Sequence, residues 1–242
     1  ELGARVGVLD IRPEAADAIV REIVAAGGEA IALHADVLSK ADLEAAAQQV
    51  LDRFGTVDAL VNGAGGNRRQ ATTTPEMPFF DLPIQAFQEV LGLNVIGTLL
   101  PIQVFGRIMA ERGHGHIINV CSIIAMRPLT NVPAYSAGKA AIKNLTEWLA
   151  VHVAQNYSPA IRVNAIAPGF FLTEQNRFLL LDERTGQSTP RGRAILEHTP
   201  LGRYGDPEEL LTTVLWLLSP QSGFVHGSTA VVDGGFCAFS GV

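Results

Sequence analysis

Short apolar runs alternate with longer stretches of helical periodicity along this chain. Arg5-Val6-Gly7-Val8-Leu9 leads into a helical pattern over 13–26, then a run at 30–34, a second helical pattern over 40–54 and a run at 57–62. The rhythm continues with a helical region over 84–112, the run His116-Ile117-Ile118-Asn119-Val120, a helix over 132–156, a strand over 161–166, a helix over 207–218 and Ala230-Val231-Val232. This alternation predicts an α/β fold of Rossmann type: one domain spanning 1–242, with a doubly wound parallel sheet covered on both faces by helices. Ligands of such sheets bind beyond the carboxyl ends of the strands. Asp10, Asp36, Asn62-Gly63-Ala64-Gly65, Ser122 and Pro168-Gly169 all stand just after predicted strands. Residues 66–83 and 170–201 are longer than the usual connection of about 4–6 residues, which suggests function.

The composition, 48% hydrophobic and 17% charged over 242 residues, is that of a globular chain able to bury one large core. A net charge of -6, with no stripe of lysine or arginine, disfavours nucleic acid and anionic membranes as partners. Two cysteines make no disulfide framework, and neither a signal peptide nor about 18 uninterrupted apolar residues is evident, so the cytoplasm is the expected compartment. No metal site is expected.

Candidate chemistry concentrates in Tyr135-Ser136-Ala137-Gly138-Lys139, with Ser122 ahead of it. On a helix, Tyr135 and Lys139 project from one face, so the ammonium can approach the phenol. Lowering a tyrosine from pH ~10 to about 7 requires ~4 kcal/mol of preference for the phenolate. A positive charge at about 4 Å in a medium of effective dielectric ~20 supplies a similar amount. The expectation is therefore an acidified phenol that moves a proton, with Ser122 holding a substrate oxygen.

Asp36-Val37, Asn62-Gly63-Ala64-Gly65, Asn94, Ser122, Tyr135 with Lys139, Pro168-Gly169 with Thr173, and Val232-Asp233-Gly234-Gly235 follow one another along the chain. In that order the chain resembles the short-chain dehydrogenase/reductase family over essentially its whole length. The resemblance implies a nicotinamide dinucleotide cofactor, hydride transfer at a carbonyl or alcohol carbon, and a homotetramer. Family members open with a strand and a glycine-rich turn that seats the dinucleotide pyrophosphate, so the resemblance implies roughly 30 residues ahead of Glu1. Without that strand the sheet would be interrupted between the strands ending at Leu9 and Asn62, by about 9.5 Å.

Within that family pattern, Asp10 would accept hydrogen bonds from the adenosine ribose hydroxyls and repel a 2'-phosphate, favouring NAD over NADP, whereas Arg12 could attract the phosphate. Asp36, with Val37 beside it, resembles the residue that binds the adenine amino group, and it could equally cap the following helix. Asn62, Gly63 and Ala64 would bring backbone close to the adenosine. Lys139, with Tyr135, would bind the nicotinamide ribose, and Pro168, Gly169, Phe171 and Thr173 would flank the nicotinamide and phosphates. Asn94 resembles the asparagine that holds a water linking Lys139 to solvent. Cys121 receives no chemistry.

The long loops carry Arg68, Arg69, Arg177, Arg184, Arg191 and Arg193, and a guanidinium can clamp a carboxylate with two parallel hydrogen bonds. Val61-Asn62-Gly63-Ala64-Gly65-Gly66-Asn67, Gly97-Thr98-Leu99-Leu100-Pro101, Pro168-Gly169-Phe170-Phe171-Leu172-Thr173-Glu174-Gln175-Asn176-Arg177 and the ending from Asp233 look like the D-mannonate oxidoreductase (D-fructuronate reductase) branch of the family. That likeness implies a sugar-acid substrate in hexuronate metabolism, with Asn67, Gln175, Asn176 and Arg177 as its contacts. Two alternatives stand beside it: reduction of another carbonyl compound, such as a 3-oxoacyl thioester or a different sugar, and a catalytically silent NAD-binding regulator.

Overall fold

Six parallel strands carry the fold of the computed structural model, which describes residues 3–182 and 184–241, apart from the side chains of Glu174, Gln175 and Phe178. The first half runs β1 (Arg5–Asp10), α1 (Pro13–Ala25), β2 (Glu29–His34), α2 (Lys40–Phe54) and β3 (Ala59–Asn62). It continues with α3 (Ile84–Leu91), α4 (Gly97–Arg112), β4 (Gly115–Val120), α5 (Pro133–Asn156) and β5 (Ile161–Pro168). Two short helices, α6 (Glu174–Leu180) and α7 (Pro190–His198), precede α8 (Leu211–Leu218) and β6 (Thr229–Val232).

The strands form two sheets, β1-β2 and β3-β4-β5-β6. Register aligns Asn62 with Asn119 and Pro168 with Val232, so the last residues of neighbouring strands finish along one edge.

Local sequence sets the boundaries. Ser39 caps α2 by accepting from the Asp42 N–H at 3.3 Å, and Gly55 ends it in a left-handed conformation (φ 77°) that a side chain would disfavour. Pro13 and Pro133 open α1 and α5 at positions where no backbone N–H is required.

Alternate residues of β4 and β5 face two helical layers. Ile117 and Val163 join Leu43, Val50, Ile102, Phe105 and Met109 in the larger core against α2 and α4. Ile118 and Ile166 turn the other way, onto Leu217 of α8. Fully burying each such side chain contributes about 1.5–3 kcal/mol. The Arg162 guanidinium, 5% exposed, donates to the carbonyls of Leu217, Ser219, Ser222 and Val225 at 2.8–3.3 Å, fastening the end of α8 and the following turn to β5.

Two expected elements differ. The helix expected over 84–112 is interrupted by a π turn, Gly92–Ile96, in which the Gly97 N–H reaches back to the Gly92 carbonyl. Ile84–Arg112 is long and apolar enough to cross a bilayer by length and composition, yet Ile102, Val104, Phe105 and Met109 are built into the core. The connection 170–201 contains α6 and α7, each opened by a threonine: Thr173 accepts from the Asn176 N–H, and Thr189 from the Gly192 N–H at 3.0 Å.

Candidate active site

Ser122 stands two residues past the end of β4, and Tyr135 and Lys139 lie one turn apart on α5, which packs on β5. The Ser122 hydroxyl neighbours the Tyr135 phenol and favours its ionised form. Lys139 Nζ lies 5.6 Å from the Tyr135 ring centroid and donates to the Val120 carbonyl at 2.7 Å, so the amine is moored to the strand that delivers Ser122. The Cys121 thiol donates to the Lys139 carbonyl at 3.2 Å, a second tie between β4 and α5.

Electrostatics depart from the sequence expectation. Burial raises the Tyr135 pKa above 10.0, while the neighbouring Ser122 hydroxyl opposes the rise and Cys121 adds to it. Lys139, 5% exposed, is itself held below its ordinary value by burial. An ammonium that must also be desolvated is a weaker stabiliser of a neighbouring anion than a solvated charge at the same distance. The phenol is therefore neutral at neutral pH rather than acidified.

Asn94, at 0% exposure, sits at the centre of the π turn. Its amide nitrogen donates to Gly66 O at 2.7 Å and Val90 O at 2.8 Å, while its amide oxygen accepts from Gly66 N at 3.2 Å. The side chain is thus a clamp on the loop after β3 before it can be a water holder. A Cβ on Gly65 would meet Asn94 Oδ1 at 2.8 Å and Lys139 Nζ at 3.4 Å, and one on Gly138 would meet Asn94 Cβ at 3.2 Å. Glycine at both positions lets loop, π turn and α5 converge.

The other predicted residues lie along the same edge. Asp10 ends β1, its carboxylate accepting from the Arg12 N–H at 2.8 Å with Arg12 Nε at 3.6 Å. Asp36 accepts from the Leu38 N–H at 2.9 Å, and Val37 packs so tightly that a Cβ on Gly97 would stand 2.9 Å from it. Gly63 has open space where a side chain would project, and Ala64 beside it is exposed. Pro168 ends β5, and Gly169 passes Asp233 so closely that a Cβ would lie 2.7 Å from Asp233 Cβ. Phe171 is buried against Gly205. This edge offers an exposed carboxylate, side-chain-free backbone and a buried amine in succession, which fits an elongated ligand carrying hydroxyls. Among the described residues no group of three or more His, Cys, Asp or Glu side chains could hold a metal ion.

Some predicted side chains are already committed. Asn62 donates to Asn119 at 2.9 Å, Asn119 to Thr146 at 2.9 Å, and Thr146 to Ile142 O at 2.8 Å, a buried chain linking β3 and β4 to α5 that sequence reasoning missed. The Asn62 amide nitrogen is therefore committed inside the fold. Asn176 bonds the Thr173 N–H and the Phe171 carbonyl, so it shapes the start of α6 instead of facing a substrate. The Gln175 side chain lies outside the described residues, and Arg177 is exposed. Asn67 donates to Thr72 at 2.8 Å while its amide oxygen is buried without a partner. Of the loop arginines, Arg68 pairs with Glu89 at 2.7 Å and Arg193 donates to Ser188 O at 2.8 Å.

Comparison with known proteins adds to this geometry. Residues 1–237 match the family model described as enoyl-(acyl carrier protein) reductase. The chain is 47% identical over 249 residues to the uncharacterized oxidoreductase UxuB of Bacillus subtilis, covering 99% of this chain and 88% of the relative. The crystal structure of a candidate D-mannonate oxidoreductase from Haemophilus influenzae with bound NAD superposes with a TM-score of 0.92 at 43% identity, over 99% of this chain and 88% of that one. A gluconate 5-dehydrogenase from Burkholderia cenocepacia, in complex with NADP and tartrate, gives a TM-score of 0.86 at 32% identity, over 98% and 87% of the two chains.

Proposed function

The chain belongs to the short-chain dehydrogenase/reductase family of oxidoreductases, and from that premise we propose that it interconverts a keto and a hydroxyl group of a sugar acid, D-fructuronate and D-mannonate, with NAD as cofactor. The observation that carries the reading is the buried Lys139 amine, 5.6 Å from the Tyr135 ring centroid and moored by the Val120 carbonyl to the strand that leads to Ser122. Similarity to a candidate D-mannonate oxidoreductase and to a gluconate 5-dehydrogenase supports the sugar-acid class.

When bound, the nicotinamide supplies or accepts a hydride at its ring carbon C4. Asp10 would hold the adenosine ribose. Because Arg12 lies against that carboxylate, its charge is partly neutralised toward a 2'-phosphate, which supports NAD over NADP. Asp36 and Val37 would border the adenine, Gly63 and Ala64 offer backbone to the adenosine, Lys139 would hold the nicotinamide ribose, and Pro168, Gly169, Phe171 and Thr173 would line the nicotinamide end.

In the reducing direction the neutral Tyr135 phenol is already the proton donor that a developing alkoxide requires, and Ser122 fixes the distance to that oxygen. In the oxidising direction the same oxygen, having first lost its proton, takes one from the alcohol as hydride leaves the carbon. Asn67 has its amide nitrogen engaged and its amide oxygen buried without a partner, an acceptor that a substrate hydroxyl would satisfy and a carboxylate would not. The acid group falls to an exposed guanidinium such as Arg177. Exposed Trp148 and Val151 on α5, and Leu215 and Trp216 on α8, support association between copies of the chain, a homotetramer being the family's usual form.

Following NADH oxidation with D-fructuronate, D-tagaturonate and a 3-oxoacyl thioester tests the assignment. D-fructuronate is expected to give the highest kcat/KM. A thioester preference would replace the substrate assignment, and bound NADH without turnover of any of the three would favour a silent regulator.

A further inference from the structure

Between Ser122 and Tyr135 lies a stretch that the mechanism does not use, yet it contains the one non-glycine residue with positive φ among those described, Asn131 at 72°. Asparagine tolerates this region better than most residues but still pays for it, and such conformations persist where surrounding contacts impose them. Asn131 stands two residues ahead of Pro133, the first residue of α5. Its backbone carbonyl accepts from the Thr73 N–H at 2.9 Å, and its side-chain oxygen accepts from the Thr73 hydroxyl at 3.2 Å. One residue of the 66–83 loop is thus gripped twice by a residue 58 positions away.

Adjacent contacts make this grip a matter of alignment. Ala71, 1% exposed, is plugged among Ala86, Val90 and Ala134, with Tyr135 packed against the same cluster. Thr72 donates to Arg68 O at 3.0 Å and accepts from the Asn67 amide at 2.8 Å. Since the Thr72 proton is used on Arg68 O, the Asn67 nitrogen must face Thr72, and its unpartnered oxygen is thereby oriented. The loop is fixed at Gly66 by Asn94, at Ala71 by the apolar plug and at Thr73 by Asn131. The plug meets Ala134 and Tyr135 within α5, and the grip on Thr73 ties the loop to the chain just before that helix.

We infer that Asn131 is a positioning residue, whose left-handed backbone and side-chain oxygen latch the 66–83 loop to the start of α5 and so set Asn67 relative to Tyr135. The inference rests on the oxidoreductase reading for its kinetic consequence, but the latch has a consequence of its own in loop protection. If residue 131 relaxed to negative φ, its carbonyl would swing away from the Thr73 N–H and both bonds would go together.

Three variants separate the parts: Asn131→Gly keeps the backbone geometry and loses only the side-chain oxygen, Asn131→Ala loses that oxygen and disfavours the left-handed turn, and Thr73→Val loses the hydroxyl. With the sugar-acid substrate, KM is expected to rise about 10-fold in Asn131→Ala and about 3-fold in Asn131→Gly and Thr73→Val, with kcat and NADH affinity within about twofold of wild type. Amide hydrogen exchange across residues 67–77 is expected to be fastest in Asn131→Ala, with or without turnover. Unchanged exchange and unchanged KM in Asn131→Ala would overturn the latch, as would equal losses of kcat and NADH affinity with a lower Tm, the pattern of a merely structural residue. If the wild type turns over no sugar acid, the proposed function fails by itself, and the exchange measurement alone decides the latch.

Discussion

Burial keeps the Tyr135 phenol above its ordinary pKa of 10.0, so the group meets substrate with its proton attached. The two reaction directions should therefore respond oppositely to pH. Carbonyl reduction needs the protonated phenol and is expected to be flat through neutral pH, falling only at strongly alkaline pH. Alcohol oxidation needs the phenolate and should keep rising with pH throughout that range. Profiles of kcat/KM in both directions check this, and an oxidation rate already at plateau at neutral pH would show that the phenol is acidified after all. At this scale order and spacing were enough to single out Ser122, Tyr135, Lys139 and Asn94 as candidates, and the fold places Tyr135 beside Lys139 and Asn94 beside Gly138. The direction of the Tyr135 shift was not legible there, because it depends first on the burial of the phenol itself, which only the packing around α5 reveals. Asn176 misled for a related reason: the amide that could bind a sugar serves just as well to cap the turn into α6.

Strands and helices place these residues, and their polar ties are where pH should act. His116 on β4 lies opposite Arg162 on β5, and burial, reinforced by the Arg162 charge, lowers its pKa from 6.5 to about 4. Between those values the unfolded chain binds a proton that the native protein refuses. The contribution to stability is thus fully present above pH 6.5 and lost progressively as the pH falls toward about 4. Urea titrations from neutral pH down to that range should show the loss, and His116→Gln should flatten the slope; an unchanged slope would remove His116 from the account. Element positions were largely readable because apolar periodicity and short runs survive in single sequences. The π turn was not, since the apolar pattern runs straight through 84–112 and only the buried Asn94, flanked by Gly92 and Gly97, hints at a break. The helices α6 and α7 hid in a stretch whose proline, glycine and polar residues read as loop.

Across the whole molecule the parallel strands end along one edge, and that edge gathers Asp10, Asp36, Gly63, Ser122 and Gly169 from five separate segments. Two layers of helices on β4 and β5 make the platform stiff, and the Asn62–Asn119–Thr146 chain couples it to the helix bearing Tyr135. The order of strands and helices already predicted such an edge. The buried amide chain could not be foreseen, because nothing local marks Asn119 and Thr146 as partners across 27 residues. The central claim, that the Tyr135 phenol transfers the proton in a nicotinamide-dependent reduction, is tested most directly by comparing wild type with Tyr135→Phe in NADH oxidation by D-fructuronate while titrating NADH binding to both. The account predicts that turnover falls by at least about 100-fold with NADH affinity essentially retained; a Tyr135→Phe protein that reduces D-fructuronate at close to the wild-type rate would contradict it.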